Sequence, residues 1–159
     1  MNQHPQPIVT VDVVMLTLKD ETLHVALTLR DQEPNKGRWT LPGGWVHTNE
    51  HDDALAAAVR ILKAKAGLES PYLEQLQTFA NRHRDSRGWS VSIAHYALVP
   101  FDQIAEHFAR PPQDSGSARR GQDAVQWRAV DSIRSLPFDH LGILHTAEER
   151  VRSKIAYSS

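Results

Sequence analysis

Arginine residues are concentrated in one short segment of this chain, where their side chains could bind an anion. The segment reads NRHRDSRGW, residues 81–89, and contains Arg82, Arg84 and Arg87. A guanidinium can donate two parallel hydrogen bonds to a phosphate, so three of them within six residues suit a diphosphate. Solvated charge in a hairpin loop is the alternative explanation of the same pattern.

A second segment has the outline of a catalytic site but lacks the side chains for catalysis. It reads GRWTLPGGWVHTNEHDDALAAAVRILKAKAGLES, residues 37–70. Gly43 and Gly44 predict a tight turn, and a helix follows it. The helix face where acidic metal ligands would be sought instead carries Ile61, Ala64 and Lys65. Aliphatic side chains offer no oxygen to a hard divalent cation, and an ammonium group repels it.

The hydrophobic pattern predicts the strands and helices that would position these segments. A hairpin is predicted from IVTVDVVMLTL and LHVALTLR, and two short extended pieces from WTLPGGWV. A helix is predicted over 51 to about 66, with Asn49 as its N-cap. Two more strands are predicted from LEQLQTFA and SVSIAHYALV, then a short helix from FDQIAEHFAR and a loop from PPQDSGSARRGQD. The chain is predicted to end in a strand, AVQWRAV, and an amphipathic helix, DHLGILHTAEERVRSKIAYSS. The predicted fold class is α/β (α+β), a mixed sheet with helices packed on it.

Length and composition narrow the class of protein. Residues 1–159 are predicted to form a single domain, with 40% hydrophobic and 23% charged residues. The chain has no apolar run long enough to span a bilayer, and its N-terminus does not resemble a secretory signal. The absence of cysteine excludes disulfides and fits a cytoplasmic location. The formal net charge of −1 argues against a surface that grips DNA by itself.

The segment around the two glycines resembles a Nudix box. In that family pattern a glycine and a glutamate are followed by a helix that carries Arg-Glu, a pair of glutamates and Gly-apolar. Gly44 and Glu50 fit the first spacing, and Arg60, Gly67 and Leu68 fit the rest when two extra residues are inserted. In this alignment Ile61, Ala64 and Lys65 replace the three glutamates that hold magnesium in active members of the family.

The resemblance extends to the NrtR family, Nudix-related transcriptional regulators of NAD metabolism. It is carried by PYLEQLQTFANRHRDSRGWSVSIAHYALVP and LPFDHLGILHTAEERVRSKIAYSS, in addition to the acid-poor box. It implies a Nudix fold, a mixed sheet sandwiched between helices, that binds ADP-ribose as an effector. It also implies a homodimer with no catalytic residues, no bound metal and no need for magnesium. DNA would be bound only through a C-terminal winged-helix domain, which we expect beyond Ser159.

The resemblance also favours particular residues as contacts of ADP-ribose. The arginine-rich segment resembles a loop of these regulators, so we favour diphosphate contact there; Trp39 or Phe138 could stack on adenine, and His140 could contact a ribose. Each has a plainer explanation as surface charge, core aromatic or helix cap. The predicted ligand-binding residues are Arg30, Arg38, Trp39, Gly43, Gly44, Arg84, Asp85, Arg87, Phe138 and His140.

A second hypothesis keeps the protein an enzyme. A divergent Nudix hydrolase could cleave ADP-ribose or a related nucleoside diphosphate if other residues supplied the metal ligands. Glu50, Asp52 and Asp53 lie close together at the start of the predicted helix and are the candidates. This hypothesis has to explain why the usual ligand positions carry other residues, so we favour the effector-binding domain.

Overall fold

A seven-stranded mixed sheet forms the centre of the protein. The computed structural model describes residues 5–70, 72–108 and 125–158. The strands are listed here in chain order: β1 (Ile8–Lys19), β2 (Thr22–Leu29), β3 (Trp39–Thr40), β4 (Gly43–Trp45), β5 (Glu74–Asn81), β6 (Ser90–Val99) and β7 (Val125–Ala129). The main path through the sheet is β3-β2-β1-β6-β5, with β4 paired to β1 and β7 paired to β2. Strands β1 and β6 are parallel and the other pairs are antiparallel, so the predicted mixed sheet is confirmed.

The two strands of the predicted hairpin, β1 and β2, are joined by a two-residue turn. Asp20 and Glu21 both have positive φ, 51° and 65°, as a turn that matches the twist of the strands requires. Strand β2 pairs with β1 only as far as Val25, and β4 takes its place opposite Thr10–Asp12. The separation of β2 from β4 along the same edge of β1 opens a cleft in the sheet.

Helices cover both faces of the sheet. Helix α1 (Ala54–Ile61) continues as a π-helical turn, Leu62–Ala66, and packs with α2 (Phe101–Phe108) on one face. Helix α3 (His140–Ser158) packs on the other face through Ile143, Leu144, Ala147 and Val151. Two apolar cores therefore lie above and below one sheet, as expected for the predicted architecture.

The boundaries of the helices differ from the sequence prediction at one important place. Helix α1 begins at Ala54, and the Asp53 carboxylate caps it by accepting a hydrogen bond from the Ala56 N–H at 2.8 Å. Asn49 is therefore not the N-cap, because a turn at His47–His51 precedes the helix. The predicted short helix reaches Phe108, and the predicted loop PPQDSGSARRGQD lies outside the described residues.

No helix in the described part of the chain is long and apolar enough to cross a membrane.

Candidate ligand-binding site

The cleft between β2 and β4 is the strongest candidate for a binding site. It has a volume of about 650 Å³, which suits a ligand of nucleotide size. Eight of the ten predicted ligand-binding residues line it: Arg30, Gly43, Gly44, Arg84, Asp85, Arg87, Phe138 and His140. The two segments singled out by their sequence thus meet at one cleft, together with the start of α3.

Arg38 and Trp39 are the two predicted residues that do not line the cleft. Trp39 packs against the apolar core beneath α3. Arg38 contributes its backbone, which accepts a hydrogen bond from the Arg30 N–H at 2.9 Å. Contact of either side chain with ADP-ribose stays a prediction.

A buried carboxylate forms the floor of the cleft. Asp12 accepts a hydrogen bond from the Ser92 hydroxyl at 2.6 Å and lies 3.3 Å from His140 Nε2. The Leu41 N–H donates to His140 Nδ1 at 3.2 Å, so the ring proton belongs on Nε2, where it faces Asp12. Burial alone would raise the pKa of Asp12, but His140, Ser92 and Arg84 together hold it below its ordinary value.

Arg84 belongs to this buried network and does not project from an exposed loop. Its Nε and one Nη donate to the two Asp139 carboxylate oxygens at 2.9 and 2.8 Å, and the other Nη donates to Ser90 Oγ at 2.8 Å. The Asn81 side chain fixes the loop by accepting a hydrogen bond from the Arg84 N–H at 2.8 Å. Only 7% of Arg84 is exposed, and each of its three guanidinium nitrogens donates a hydrogen bond within the protein. These contacts position the loop and the start of α3, while contact of Arg84 with a diphosphate stays a prediction.

Arg87 is oriented toward the cleft by its neighbour Asp85. Two hydrogen bonds, at 3.0 and 2.7 Å, join its guanidinium to the Asp85 carboxylate. The pKa of Asp85 is held below its ordinary value, because these bonds outweigh the effect of burial. The guanidinium also lies 5.7 Å from the centre of the Trp45 ring. Trp45 lines the cleft and is 53% exposed, so it offers a flat face at the mouth.

Phe138 is the predicted aromatic residue that does reach the cleft. It lies in the tight turn before α3 with φ of +58°, a strained value for a residue with a side chain. The Arg30 guanidinium lies 5.0 Å from the centre of its ring, and the Arg30 Nε donates to the Pro34 carbonyl. Partial burial and then the positive charge of Arg87 lower the pKa of Arg30, while Asp85, Asp31 and Asp12 oppose the shift.

Gly43 is required where β4 approaches the floor. A Cβ at this position would overlap Asp12 Oδ1 and lie 3.2 Å from Asp12 Cγ. Asp12 has no room to move, because it is buried and held by Ser92 and His140. Gly43 and Gly44 therefore do not form the predicted tight turn, because both lie in β4 and pair with β1. Gly43 is needed instead for the close approach of two strands beneath the cleft.

The wall formed by the helix carries no metal-binding carboxylate among the described residues. Arg60, Ala64 and Lys65 line the cleft there, whereas Ile61 is fully buried in the core. From the sequence, Lys65 was expected only to repel a metal ion, and Arg60 was identified only as a match to the Nudix box. The residues on this wall do not fit a magnesium ion, which prefers oxygen ligands.

The acidic residues proposed as alternative metal ligands do not form a cluster either. Asp53 caps α1, and no group of potential ligands among the described residues includes Asp52 or Asp53. Glu50 lies within 4.8 Å of His47 and His51. Both ring nitrogens of His51, however, already face N–H donors, the His47 backbone at 3.0 Å and Arg60 Nε at 2.8 Å. His51 is therefore not free to bind a metal, which leaves only His47 and Glu50 of this group as available ligands.

Sequence reasoning missed three features of the site. Asp12 and Trp45 were not singled out, and the role of Arg60 in lining the cleft was not recognised. A polar residue within an otherwise apolar strand could have indicated Asp12, since buried charge needs partners. Trp45 directly follows the glycine pair, and that position next to a predicted turn was its only signal.

Comparisons with known proteins identify the family to which the fold belongs. The NUDIX domain family matches residues 7–147. The ADPR responsive transcriptional repressor NtrR of Acinetobacter baylyi is 31% identical over 160 residues, which are 99% of this chain and 60% of the repressor. The NUDIX domain of Shewanella oneidensis NrtR, solved in complex with ADP ribose, is 31% identical with a TM-score of 0.76, over 93% of this chain and 90% of that domain.

A relative of a different kind is an enzyme. The ADP-ribose pyrophosphatase of Methanocaldococcus jannaschii is 29% identical over 140 residues, covering 87% of this chain and 71% of the enzyme. This chain spans only 60% of the length of the Acinetobacter repressor. The family match over nearly the whole described fold and the likeness to the NrtR domain establish that the chain belongs to the Nudix family.

Proposed function

We propose that this chain is the effector-binding domain of a transcriptional repressor of NAD metabolism, and that it binds ADP-ribose without hydrolysing it efficiently. The observation that carries the proposal is the chemistry of the cleft. Its described lining contains five cationic side chains and three carboxylates, and none of the carboxylates lies on the wall formed by α1 and the π-helical turn. A cleft of this kind favours an anionic ligand over a metal-assisted reaction.

The positions of the side chains suit the parts of ADP-ribose. Arg30 and Arg87 lie near the mouth, where they can approach a diphosphate. Trp45 and Phe138 each offer an aromatic face to the adenine. His140 and the Gly43-Gly44 strand lie at the floor, within reach of a ribose hydroxyl. The similarity to a NUDIX domain solved with ADP ribose supports this choice of ligand.

We place DNA binding outside residues 1–159. The net charge of −1 provides no general basic surface, and the repressor from Acinetobacter is longer than this chain. We therefore propose a C-terminal winged-helix domain in the intact protein and a cytoplasmic location for it. ADP-ribose would then act by binding the free and DNA-bound arrangements with different affinity.

Calorimetry together with product analysis tests this function. ADP-ribose is titrated into the pure protein in EDTA and again in magnesium, and each mixture is then analysed for AMP and ribose 5-phosphate. We expect saturable binding in both buffers and no turnover at an enzymatic rate, because metal activation of water needs ligands that this wall lacks. Absence of binding in EDTA would contradict the proposal.

The alternative function is hydrolysis of ADP-ribose, and one comparison favours it. The similarity to an ADP-ribose pyrophosphatase extends over 87% of this chain. Rapid, magnesium-dependent release of AMP in the same experiment would establish this alternative in place of the first.

We also expect the domain to form a homodimer. Operators of dimeric repressors are pseudo-palindromic because the protein has two-fold symmetry, and an effector domain can supply that symmetry. Light scattering at micromolar concentration should give twice the mass of the 17.9 kDa chain. A monomeric mass would move the dimer contacts to another part of the intact protein.

A further inference from the structure

Lys65 lies at a distinctive point in the cleft wall. It belongs to the π-helical turn Leu62–Ala66, which ends at Gly67 with φ of +65°. Leu62 and Ala66 point into the core, and Lys65 lines the cleft. The extra residue of a π turn changes the direction of side chains along a helix, and such turns are frequent at functional sites.

Each of the other cations that line the cleft already donates at least one hydrogen bond within the protein. Arg84 and Arg87 donate to carboxylates, as described above. Arg30 donates through Nε to a carbonyl group, and Arg60 donates to His51 at 2.8 Å and to the Trp45 carbonyl at 3.3 Å. The side chain of Lys65 makes no ion pair or hydrogen bond with any described residue. Its ammonium group therefore retains all three donors for a ligand.

The surroundings of Lys65 favour an anion at its ammonium group. Partial desolvation, followed by the positive charges of Arg30 and Arg60, lowers its pKa, while Asp31 and Asp12 oppose the shift. A bound anion stabilises the charged form of such a group. A dianionic diphosphate between Lys65 and Arg30 would relieve the repulsion between the cations.

We propose that Lys65 is the counter-cation of the ligand's diphosphate, and that its ammonium replaces the metal which carboxylates hold on this wall in active Nudix enzymes. The inference rests on the proposed function, because it takes ADP-ribose as the ligand. It goes further by explaining how a diphosphate is bound without a divalent ion. In active Nudix enzymes the acidic residues of this wall hold a metal that binds the phosphates. In this chain the acidic residues are absent, and the lysine binds the phosphates directly.

Three variants test this role against a matched control. Lys65→Met removes the charge with little change of shape, and Lys65→Glu reverses it. Lys63→Glu makes the same charge reversal two residues away on the same turn, where the side chain is 71% exposed and pairs with Glu69 at 3.5 Å. Lys65 is itself exposed, so none of these changes should prevent folding, and thermal denaturation verifies that.

Affinities for ADP-ribose, inorganic pyrophosphate and adenosine are measured by calorimetry in EDTA and in magnesium. In EDTA we expect Lys65→Met to lower the affinity for ADP-ribose and for pyrophosphate by roughly ten- to a hundredfold and to leave the affinity for adenosine unchanged. Lys65→Glu should lower both affinities further. Added magnesium should restore part of the loss in this variant, since a carboxylate can hold the metal. Lys63→Glu should bind like the parent within about twofold.

The outcomes separate this inference from the proposed function. If the parent binds ADP-ribose and Lys65→Met binds it equally well, the role of Lys65 is refuted and the proposed function stands. If the parent binds pyrophosphate through Lys65 but not ADP-ribose, the proposed function fails and the diphosphate site stands. If the parent binds neither ligand, both are refuted. An equal loss of adenosine binding would show that Lys65 only supports the shape of the cleft.

Discussion

Replacement of Arg84 by alanine is expected to lower the free energy of unfolding by about 3–5 kcal/mol. The change would leave Asp12 buried without its guanidinium neighbour, 3.6 Å away, and would free the Asp139 carboxylate at the start of α3. Removal of one partner from a buried ion pair is costly because the remaining charge stays desolvated. Chemical denaturation of the purified variant measures the effect.

Arg82→Ala is the matched control for this prediction. Arg82 is two residues away in the same loop, is exposed and does not line the cleft. Its loss should change the free energy of unfolding by no more than about 0.5 kcal/mol. If Arg84→Ala were equally mild, the Asp12 network would not stabilise the fold, and Arg84 could be reconsidered as a direct ligand contact.

This prediction reverses an expectation from the sequence. Residues 81–89 indicate an exposed arginine-rich loop, from which loss of Arg84 would weaken binding and leave stability unchanged. The partners of Arg84 are Asp12 and Asp139, which are distant in the chain and adjacent only after β1, β6 and α3 have assembled. No local pattern reports such a contact. The network also joins the cleft floor to the first turn of α3.

Strands and helices were more readily predicted than side-chain positions. The β-branched runs and the short turn between them correctly gave the β1–β2 hairpin, because alternation and turn residues act locally. Trp45 lines the cleft and Trp39 does not, and this difference depends on the pairing of β3 with β2 and of β4 with β1. A one-residue change of register reverses which face a side chain occupies, and the sequence alone does not specify it.

Side-chain positions on helix α1 were also incompletely predicted from the sequence. The helical spacing of the sequence predicts one apolar face made of Leu55, Ala58, Val59, Leu62 and Ala66. Ala58, Leu62 and Ala66 are buried, but Leu55 and Val59 are exposed, at 45% and 46%. The buried residues within α1 are Ala57, Ala58 and Ile61. Because α1 begins at Ala54 and passes into a π turn at Leu62, the buried face is rotated relative to that of a regular helix over residues 51–66.

Ile61→Glu should therefore be far more harmful than a glutamate elsewhere on this wall. Ile61 is fully buried and touches the β4 strand at Gly44, where a Cβ would lie 3.3 Å from its side chain. A carboxylate there would be either ionised without solvent or neutral without hydrogen-bond partners, so we expect the free energy of unfolding to fall by roughly 3–5 kcal/mol.

Ala64→Glu provides the comparison that decides what this loss means. Ala64 lines the cleft and is exposed, so a glutamate at this position should change stability by no more than about 0.5 kcal/mol. Denaturation curves of the two variants give the difference directly. A large difference in the free energy of unfolding between the two variants would mean that position 61 now belongs to the core. Glutamate at positions 61, 64 and 65 together would then unfold the domain, and hydrolase activity could not be restored in this way. Equal stability would mean that position 61 can still open to the cleft, and the acidic wall of an active Nudix enzyme could then be rebuilt by these three substitutions.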